Sequence, residues 1–340
     1  GVRLAGWGWA VSHQEIKIGV LALTDSAPFI VAQNKGFFEA ENIVVRLLKQ
    51  PSWATLRDKL AYGEIDAAHM LSPMAIALQL GSGGSPKKEI LAPLVLNRGG
   101  NAITVSTQLS DLLAGLAEGQ TLGSVLRADK LHGERAMVFG TVFPFSMHTL
   151  QLRRWLRAND VDPDQDVRFE VVPPVRMVTS LKAGLIDAFC VGEPYNSLAV
   201  NEGLGSIVAT SNSLWPNAPE KVLGCTRAWA QSNPDAINGL TTALRKACEW
   251  LEGGSENRQQ AAAWLSNADY VNVPGALLEM ALLASDKGHA APFVQFDGAA
   301  LSDGQRPLFE SLVVETQALT AGPKLDEKQF ASALAPFGFI

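Results

Sequence analysis

The stretch "IKIGVLALTDSAPFIVAQNKGFF", residues 16–38, predicts the local architecture from which the fold is built. Its first eight residues form an apolar run that is typical of a buried strand. The polar turn 24–26 then offers capping oxygens, Pro28 suits the first turn of a helix, and Gly36 suits a helix end. A strand followed this closely by a helix is the unit of a mainly parallel sheet.

Strand and helix patterns alternate after this unit. The segments "IVVRLLKQ" (43–50) and "EIDAAHM" (64–70) predict further strands, with Ser52 as the N-cap of the helix between them. Ser72-Pro73 is a typical start for the next helix. Because links this short join consecutive elements, the sequence predicts an α/β fold with a mainly parallel, doubly wound sheet.

One segment of this pattern occurs twice. "LAYGEIDAA" (60–68) returns as "LKAGLIDAF" (181–189), with Leu, Gly, Ile, Asp and Ala in register. Each copy follows a strand, a proline-marked turn and a short helix, so we interpret the copies as equivalent units of two similar lobes. Asp66 and Asp187 are then turn or cap acceptors rather than catalytic groups.

The chain is expected to pass between the lobes twice, near 101–106 and near 221–226. The predicted domains are lobe I, residues 14–104 plus 225–340 with a helical C-terminal part, and lobe II, residues 105–224. A double crossing makes a hinge with a cleft between the lobes. The glycine pair before the first crossing lets the backbone pass close to that cleft.

Composition excludes several classes of protein. The 340 residues are 47% hydrophobic and 18% charged, with a net charge of −6, which is typical of a soluble two-domain chain and argues against a nucleic-acid-binding surface. A small anion still needs only a local positive pocket. No run approaches the ~18 apolar residues of a membrane span. The three cysteines form no CxxC pair, so small buried side chains are favoured over metal or redox roles, which weakly suits a reducing compartment.

Motifs of catalysis are absent from the sequence. It contains no GxSxG, HExxH, Walker loop or GxGxxG, and its five histidines include no i,i+4 pair. The acidic cluster "DPDQD" (162–166) is interpreted as a solvated turn rather than an acid/base pair or calcium site. The sequence therefore predicts a protein that is not an enzyme and that uses no cofactor and no metal.

Polar side chains lie instead at two predicted helix starts. Trp53 follows Ser52, and His148 lies in the first turn after Ser146. Helix N-termini attract anions because their N–H groups are unpaired, and Lys221 at the second crossing can add a full charge. Each residue has a structural alternative: a core aromatic for Trp53, a satisfied buried histidine for His148 and a solvated loop lysine for Lys221.

Five segments carry a resemblance to a known family: "APFIVAQNKGFFEAENI", "GEIDAAHMLSPM", "FPFSMHTLQLRRWL", "VVPPVRMVTSLKAGLIDAFCVGEPYN" and "APEKVLGCTRAW". The chain resembles the nitrate/bicarbonate receptor family, the NrtA/CmpA-like substrate-binding proteins, over about residues 16–229 and more loosely beyond. The resemblance implies a two-lobed, periplasmic-binding-protein-like (type II) fold with a hinge and a ligand cleft between the lobes. The first segment alone indicates only the broader group that includes sulfonate and taurine receptors.

The same resemblance implies a binding site. It places Pro174 beside the ion and Asn101 where the family has a glutamine, so that a water can complete the contact of the shorter side chain. His69, at the C-terminal end of a predicted strand, is a ligand or a supporting residue. The implied set is Trp53, His69, Asn101, His148, Pro174 and Lys221. Its donors favour nitrate or nitrite over bicarbonate, whose receptor is expected to use a carboxylate and a bound cation, and a sulfonate stays open.

Two roles are compatible with this site. The family-like region begins about fifteen residues in, with no lipidation cysteine or long linker, which resembles a cytoplasmic nitrate sensor of the NasS kind. Such a sensor would hold an RNA-binding antiterminator protein of the NasT kind in the ligand-free state and release it when nitrate binds. The alternative is a substrate-binding protein of a nitrate/bicarbonate or sulfonate ABC transporter, periplasmic or membrane-anchored if an upstream signal was removed. A third alternative is an enzyme similar to the pyrimidine-forming thiamin enzymes. The sequence marks no reactive group that would support it.

Overall fold

The computed structural model describes residues 14–283, 292–299 and 301–339. Its strands are β1 (Glu15–Val20), β2 (Val44–Lys49), β3 (Ala67–Leu71), β4 (Ile90–Gly99), β5 (Asn101–Ser106), β6 (Met137–Thr141), β7 (Val167–Val171), β8 (Ala188–Gly192), β9 (Gly205–Thr210), β10 (Pro219–Thr226) and β11 (Val294–Gln295). Its α-helices are α1 (Ala27–Asn34), α2 (Phe37–Ala40), α3 (Trp53–Ala61), α4 (Ser72–Leu80), α5 (Thr107–Ala114), α6 (Leu122–Leu131), α7 (Met147–Ala158), α8 (Met177–Lys182), α9 (Tyr195–Asn201), α10 (Ser211–Leu214), α11 (Arg227–Ser232), α12 (Pro234–Leu251), α13 (Ser255–Leu265), α14 (Gly275–Leu282), α15 (Arg306–Ala318) and α16 (Glu327–Leu334).

The strands form two mixed sheets, one in each lobe. The first has the order β11-β4-β10-β3-β1-β2, in which β1 is parallel to β2 and β3 while β10 is antiparallel to β3 and β4. The second has the order β7-β6-β8-β5-β9, in which β6 is parallel to β7 and β8 while β5 is antiparallel to its neighbours. The two-lobed α/β prediction is confirmed. The expectation of a mainly parallel sheet holds for the βαβ core of each lobe and fails for the strands that link the lobes.

The opening strand–helix unit forms as its sequence indicates. Helix α1 has a proline in its first turn, and Gly36 adopts the left-handed conformation that ends it, with φ of 73°. Strand β1 stops at Val20, earlier than the apolar run, because residues 24–26 form a 3₁₀ turn and the segment before it is a buried loop.

The repeated segment has the same role in both lobes. The carboxylate of Asp66 accepts a hydrogen bond from the Lys17 amide at 2.9 Å, and that of Asp187 accepts one from the Val138 amide at 2.8 Å. Each aspartate also donates its own amide to the carbonyl of the same partner at 2.8 Å. The two aspartates therefore tie equivalent loops to equivalent strands, which confirms their structural interpretation.

The two sheets are joined at a glycine pair and again before β10. Gly99 and Gly100 have φ of 72° and 91°, and a Cβ on Gly100 would lie 2.8 Å from Val294 Cγ2. The predicted domain limits at 104/105 and 224/225 fall inside β5 and β10, although each strand pairs wholly within one sheet. Limits drawn by sheet membership would lie in the links before these two strands.

The first sheet carries the C-terminal helices. Helix α12 packs against α1, and α15 and α16 pack against α4, which agrees with the predicted helical C-terminal part. Cys190, Cys225 and Cys248 are buried and free, as expected for small apolar side chains. Within the described ranges, no helix is long and apolar enough to cross a bilayer.

Candidate functional site

Two serine-capped helix starts lie at the predicted site. Ser52 Oγ accepts the Thr55 amide at 3.1 Å at the start of α3, and Ser146 Oγ accepts the Thr149 amide at 3.1 Å at the start of α7. Both caps leave the first turn of the helix with unpaired N–H groups. Trp53 and His148, the predicted residues of these first turns, are each 0% exposed.

Lys221 is not the solvated loop lysine that was the structural alternative. It lies in β10 with 0% exposure, and its Nζ is 2.7 Å from Asp25 Oδ2 and 2.8 Å from Glu220 Oε1. The same Nζ lies 5.8 Å from the centre of the Trp53 ring. The lysine therefore joins three segments of the first lobe that are far apart in sequence.

Asp25 connects this lysine to His69. His69 Nε2 lies 3.1 Å from Asp25 Oδ1, although the geometry falls short of an aligned hydrogen bond within the described residues. The His69 ring packs 5.3 Å from Trp53 and 5.5 Å from Phe29, centre to centre. His69 is thus held between two aromatic rings and a carboxylate. Its role as a ligand or as a supporting residue stays a prediction.

The ionisation of this cluster follows from burial and pairing. Burial opposes ionisation of Asp25, but Lys221 and His69 together hold the pKa of Asp25 well below its usual range. Burial also opposes the charge on Lys221, yet Asp25 and Glu220 raise the pKa of the lysine above its usual value. Burial raises the pKa of Glu220 despite Lys221. A buried lysine with two carboxylates is therefore charged before any ligand arrives.

The second lobe contributes a different set of groups. His148 has no hydrogen-bond partner for either ring nitrogen in the described part of the chain, and burial first and Lys221 second lower the pKa of His148 well below its usual range. Gln151 lies one helical turn further along α7. Its Oε1 accepts a hydrogen bond from Asn101 Nδ2 at 3.2 Å. This wall carries polar atoms without fixed charge.

Asn101 is hydrogen-bonded to neighbouring polar groups. Its amide nitrogen is directed to Gln151 and supports Glu220, while its backbone amide donates to Ser211 Oγ at 2.8 Å. In this structure Asn101 Nδ2 thus faces the side chains of Gln151 and Glu220. Asn101 links the two walls. Its contact with an ion, direct or through a water, stays a prediction.

Several buried polar atoms at this site lack partners among the described residues. They are Thr24 Oγ1, Trp53 Nε1, His69 Nδ1, Asn101 Oδ1 and both ring nitrogens of His148. A buried polar group without a partner costs about 1–3 kcal/mol. A bound polar ligand or ordered water would satisfy them.

Contacts between the lobes surround this cluster. The Tyr195 hydroxyl donates to the Ala22 carbonyl at 2.6 Å, and the Thr24 amide donates to the Glu193 carbonyl at 2.8 Å. The Glu193 carboxylate turns away to accept from the amide and hydroxyl of Ser197 at 3.1 and 2.8 Å. Pro174 is buried at the start of a 3₁₀ turn after β7, and its packing beside an ion stays a prediction.

Sequence reasoning missed Asp25, Gln151 and Glu220. Asp25 lies in a polar turn before a helix, where capping of the helix already explains the polar residues. Its partner Lys221 is 196 residues away in the sequence. Neighbours in a regular strand point to opposite faces, but β10 has register shifts beside Lys221 that allow Glu220 to reach the same charge. Among the described residues, no group of three or more His, Cys, Asp or Glu side chains is placed to hold a metal ion.

Comparison with known proteins gives one family and several relatives. A model of the NMT1-like family matches residues 10–266. The chain is 38% identical over 271 residues to the nitrate import ATP-binding protein NrtC of Synechocystis sp., covering 78% of this chain and 40% of that protein. It is 34% identical over 271 residues to the nitrate/nitrite binding protein NrtA of Nostoc sp., covering 78% and 60%. It is 35% identical over 294 residues to the bicarbonate transport ATP-binding protein CmpC of Synechococcus elongatus, covering 86% and 43%.

Solved structures agree with this fold. The periplasmic nitrate-binding protein NrtA from Synechocystis PCC 6803 superposes with a TM-score of 0.82 at 27% identity, over 95% of this chain and 85% of that one. The alkanesulfonate-binding protein SsuA of Xanthomonas axonopodis pv. citri, at 15% identity and a TM-score of 0.65, shares the fold alone. The chain spans between 40% and 60% of the length of the three relatives named above.

Proposed function

Because the chain belongs to the NMT1-like family of substrate-binding proteins, we propose that it binds one small monovalent anion, nitrate or nitrite, between its lobes. The observation that carries the proposal is the buried set of donors at two helix starts. Trp53 Nε1 and His148 are without partners in the described residues, and Lys221 supplies a buried charge beside them. Nitrate has three acceptor oxygens and no proton, so every one of these groups can donate to it.

Bicarbonate is a second candidate because two carboxylates lie at the site. A ligand that carries a proton needs an acceptor, and Asp25 and Glu220 could accept one. In this arrangement both carboxylates already face Lys221, at 2.7 and 2.8 Å. Because both carboxylates are paired with Lys221, they support nitrate as the ligand, and the lysine supplies a positive charge without a bound cation.

We further propose that the anion controls a protein partner. As a sensor of nitrate assimilation in the cytoplasm, the chain would bind an antiterminator of the NasT kind without nitrate and release it with nitrate. A micromolar site supplies about 8 kcal/mol. A difference of a few kcal/mol between free and partner-bound forms is enough to shift that complex. The alternative is delivery of the anion to a membrane permease, for which the same lobe closure would serve.

Titration calorimetry with nitrate, nitrite, bicarbonate and taurine tests the ligand. Nitrate or nitrite should bind most tightly, and the absence of heat and of a thermal shift with both would overturn the proposal. Trp53→Phe keeps an aromatic ring, though a smaller one, and removes Nε1–H, so we expect about a tenfold loss of nitrate affinity. Trp264→Phe is the matched control, since Trp264 stacks on Trp250 among the C-terminal helices. Equal affinities for the two variants would show that Trp53 does not donate.

Gel filtration tests the partner. The full chain and the antiterminator should elute together without nitrate and separately with it. Elution as separate proteins under both conditions would leave transport as the role of the site.

A further inference from the structure

The charges of the site are balanced, or negative, before an anion enters. Lys221 provides one positive charge, and Asp25 and Glu220 provide up to two negative charges. All three side chains are at most 2% exposed. The cluster therefore has a net charge of −1 with both carboxylates ionised and of zero with Glu220 protonated.

An anion bound here needs a further positive charge. A buried charge without compensation is costly, and the surrounding groups neutralise it by taking up or losing a proton. Lys221 alone cannot compensate a nitrate ion because its charge is already offset by the carboxylates. The partial charges of two helix starts, about half a unit each, are spread over several N–H groups, so they help without replacing a charged donor beside the ion.

His148 is the group best placed to accept that proton. It is 0% exposed, its two ring nitrogens have no partner among the described residues, and it lies at the start of the twelve-residue helix α7. Lys221 and Asp25 are the charged groups that act on it directly, with Glu220 behind the lysine and His69 behind the aspartate. His69 is less free to respond because Nε2 faces Asp25. Glu193 is directed to Ser197.

On the basis of the proposed anion site, we infer that the protein takes up one proton from solvent with each anion and holds it on His148. The anion and the proton that accompanies it then add no net charge to the site. Without the anion, burial and Lys221 keep the pKa of His148 low and the ring neutral at neutral pH. A bound anion beside the ring raises that pKa, and the protonated ring donates from both nitrogens.

The sign of the pH dependence follows from this linkage. Between the pKa values of His148 in the free and bound protein, each binding event takes up one proton, so the association constant falls about tenfold for each unit of rising pH. At a pH below the pKa of His148 in the free protein, the ring is already charged before the anion binds. At a pH above the pKa of His148 in the complex, the ring stays neutral. In both limits the affinity is flat with pH.

Calorimetry of nitrate binding in two buffers of different ionisation enthalpy measures the proton count. At about pH 7.5, in the range where a histidine responds, we expect uptake close to one proton for the wild-type chain. His148→Gln keeps a donor but not a titrating group, so its binding should be weaker, independent of pH and without uptake. His132→Gln, at the exposed end of α6, is the matched control and should behave as wild type.

Three outcomes would overturn the inference. They are nitrate binding by the wild type without proton uptake, uptake that persists in His148→Gln, and loss of uptake in His132→Gln. If His148→Gln does not fold, ring ¹⁵N shifts of the labelled wild-type protein decide instead, because only a protonated His148 in the nitrate complex agrees with the inference. Absence of any nitrate binding at any pH would instead contradict the proposed function.

Discussion

The two walls of the site differ in how they hold their polar groups. The first lobe presents Asp25, Glu220 and Lys221 in direct ion pairs, with His69 against the aspartate. The second lobe presents His148, whose ring nitrogens have no partner in the described residues. The charged side chains of the first wall are paired with one another, whereas the histidine of the second wall has no partner among the described residues. Fixed charge and responsive charge are thus assigned to different lobes.

The buried carboxylates repeat this difference. Burial opposes ionisation of Asp25, but Lys221 keeps its pKa low. Glu193 of the second lobe has Ser197 as its partner instead of a cation, and burial raises its pKa to about 7. Asp25 is therefore stabilised as an anion and Glu193 as a neutral acid. The predictions below test this comparison by removing its parts.

Removing the lysine should have the largest effect. Lys221→Met leaves two buried carboxylates without their cation, and breaking a buried pair typically costs about 3–5 kcal/mol. Guanidinium denaturation at neutral pH should show this loss in the free energy of unfolding. The double variant Asp25→Asn, Lys221→Met should recover part of it while nitrate binding stays lost. A loss below about 1 kcal/mol, the range of exposed pairs, would mean that the first wall is not an ion network.

Glu193→Gln should change how stability depends on pH. The folded pKa of about 7 lies above the unfolded value of 4.5, so the folded state binds the proton more tightly. The contribution of Glu193 to the free energy of unfolding is therefore complete below the pKa of the unfolded state. It is lost as the pH rises through the pKa of the folded state. Glutamine does not ionise, so the variant avoids that loss. We expect its free energy of unfolding to exceed that of the wild type by at most about 3 kcal/mol at alkaline pH and by little at acid pH.

The control for this comparison is Glu202→Gln at the exposed end of α9. Thermal or denaturant unfolding across the pH range should give parallel curves for Glu202→Gln and wild type. Parallel curves for Glu193→Gln as well would show that Glu193 is ionised in the folded protein at neutral pH, contrary to the contrast with Asp25.

Tyr195→Phe should have the smallest effect because it removes one hydrogen bond between the walls. The hydroxyl donates to the Ala22 carbonyl at 2.6 Å, and such a bond contributes about 1 kcal/mol. If it forms when the lobes close, nitrate affinity should fall about fivefold by calorimetry. Tyr62→Phe is the control, since Tyr62 is 71% exposed. An unchanged affinity in Tyr195→Phe would mean that this contact persists when the lobes open.

The sequence contained enough information for the fold and for part of the site. Apolar runs, caps such as Ser52 and the repeated Asp66 and Asp187 segments are local signals, and each acts locally in the structure. The helix starts at Trp53 and His148 were predictable for the same reason. The domain limits stay a prediction, because antiparallel pairing of β5 and β10 depends on distant strands.

The electrostatics of the site could not be predicted in the same way. Lys221 meets Asp25 across 196 residues, and nothing in the turn around Asp25 distinguishes a buried ion pair from a cap. Asn101 was expected at the site from resemblance, but which neighbour takes its amide depends on Gln151 in α7. Pairings of this kind are fixed by tertiary packing and leave no local pattern.

The complete burial of the site limits how fast a bound anion can exchange with solvent. Trp53, His148 and Lys221 are each 0% exposed, so an anion between them cannot exchange with solvent unless the lobes separate. Lobe motions of this size take roughly microseconds to milliseconds. The dissociation rate cannot exceed the rate of that motion. For the proposed anion, the lifetime of the complex is therefore at least as long as the time that the lobes take to separate.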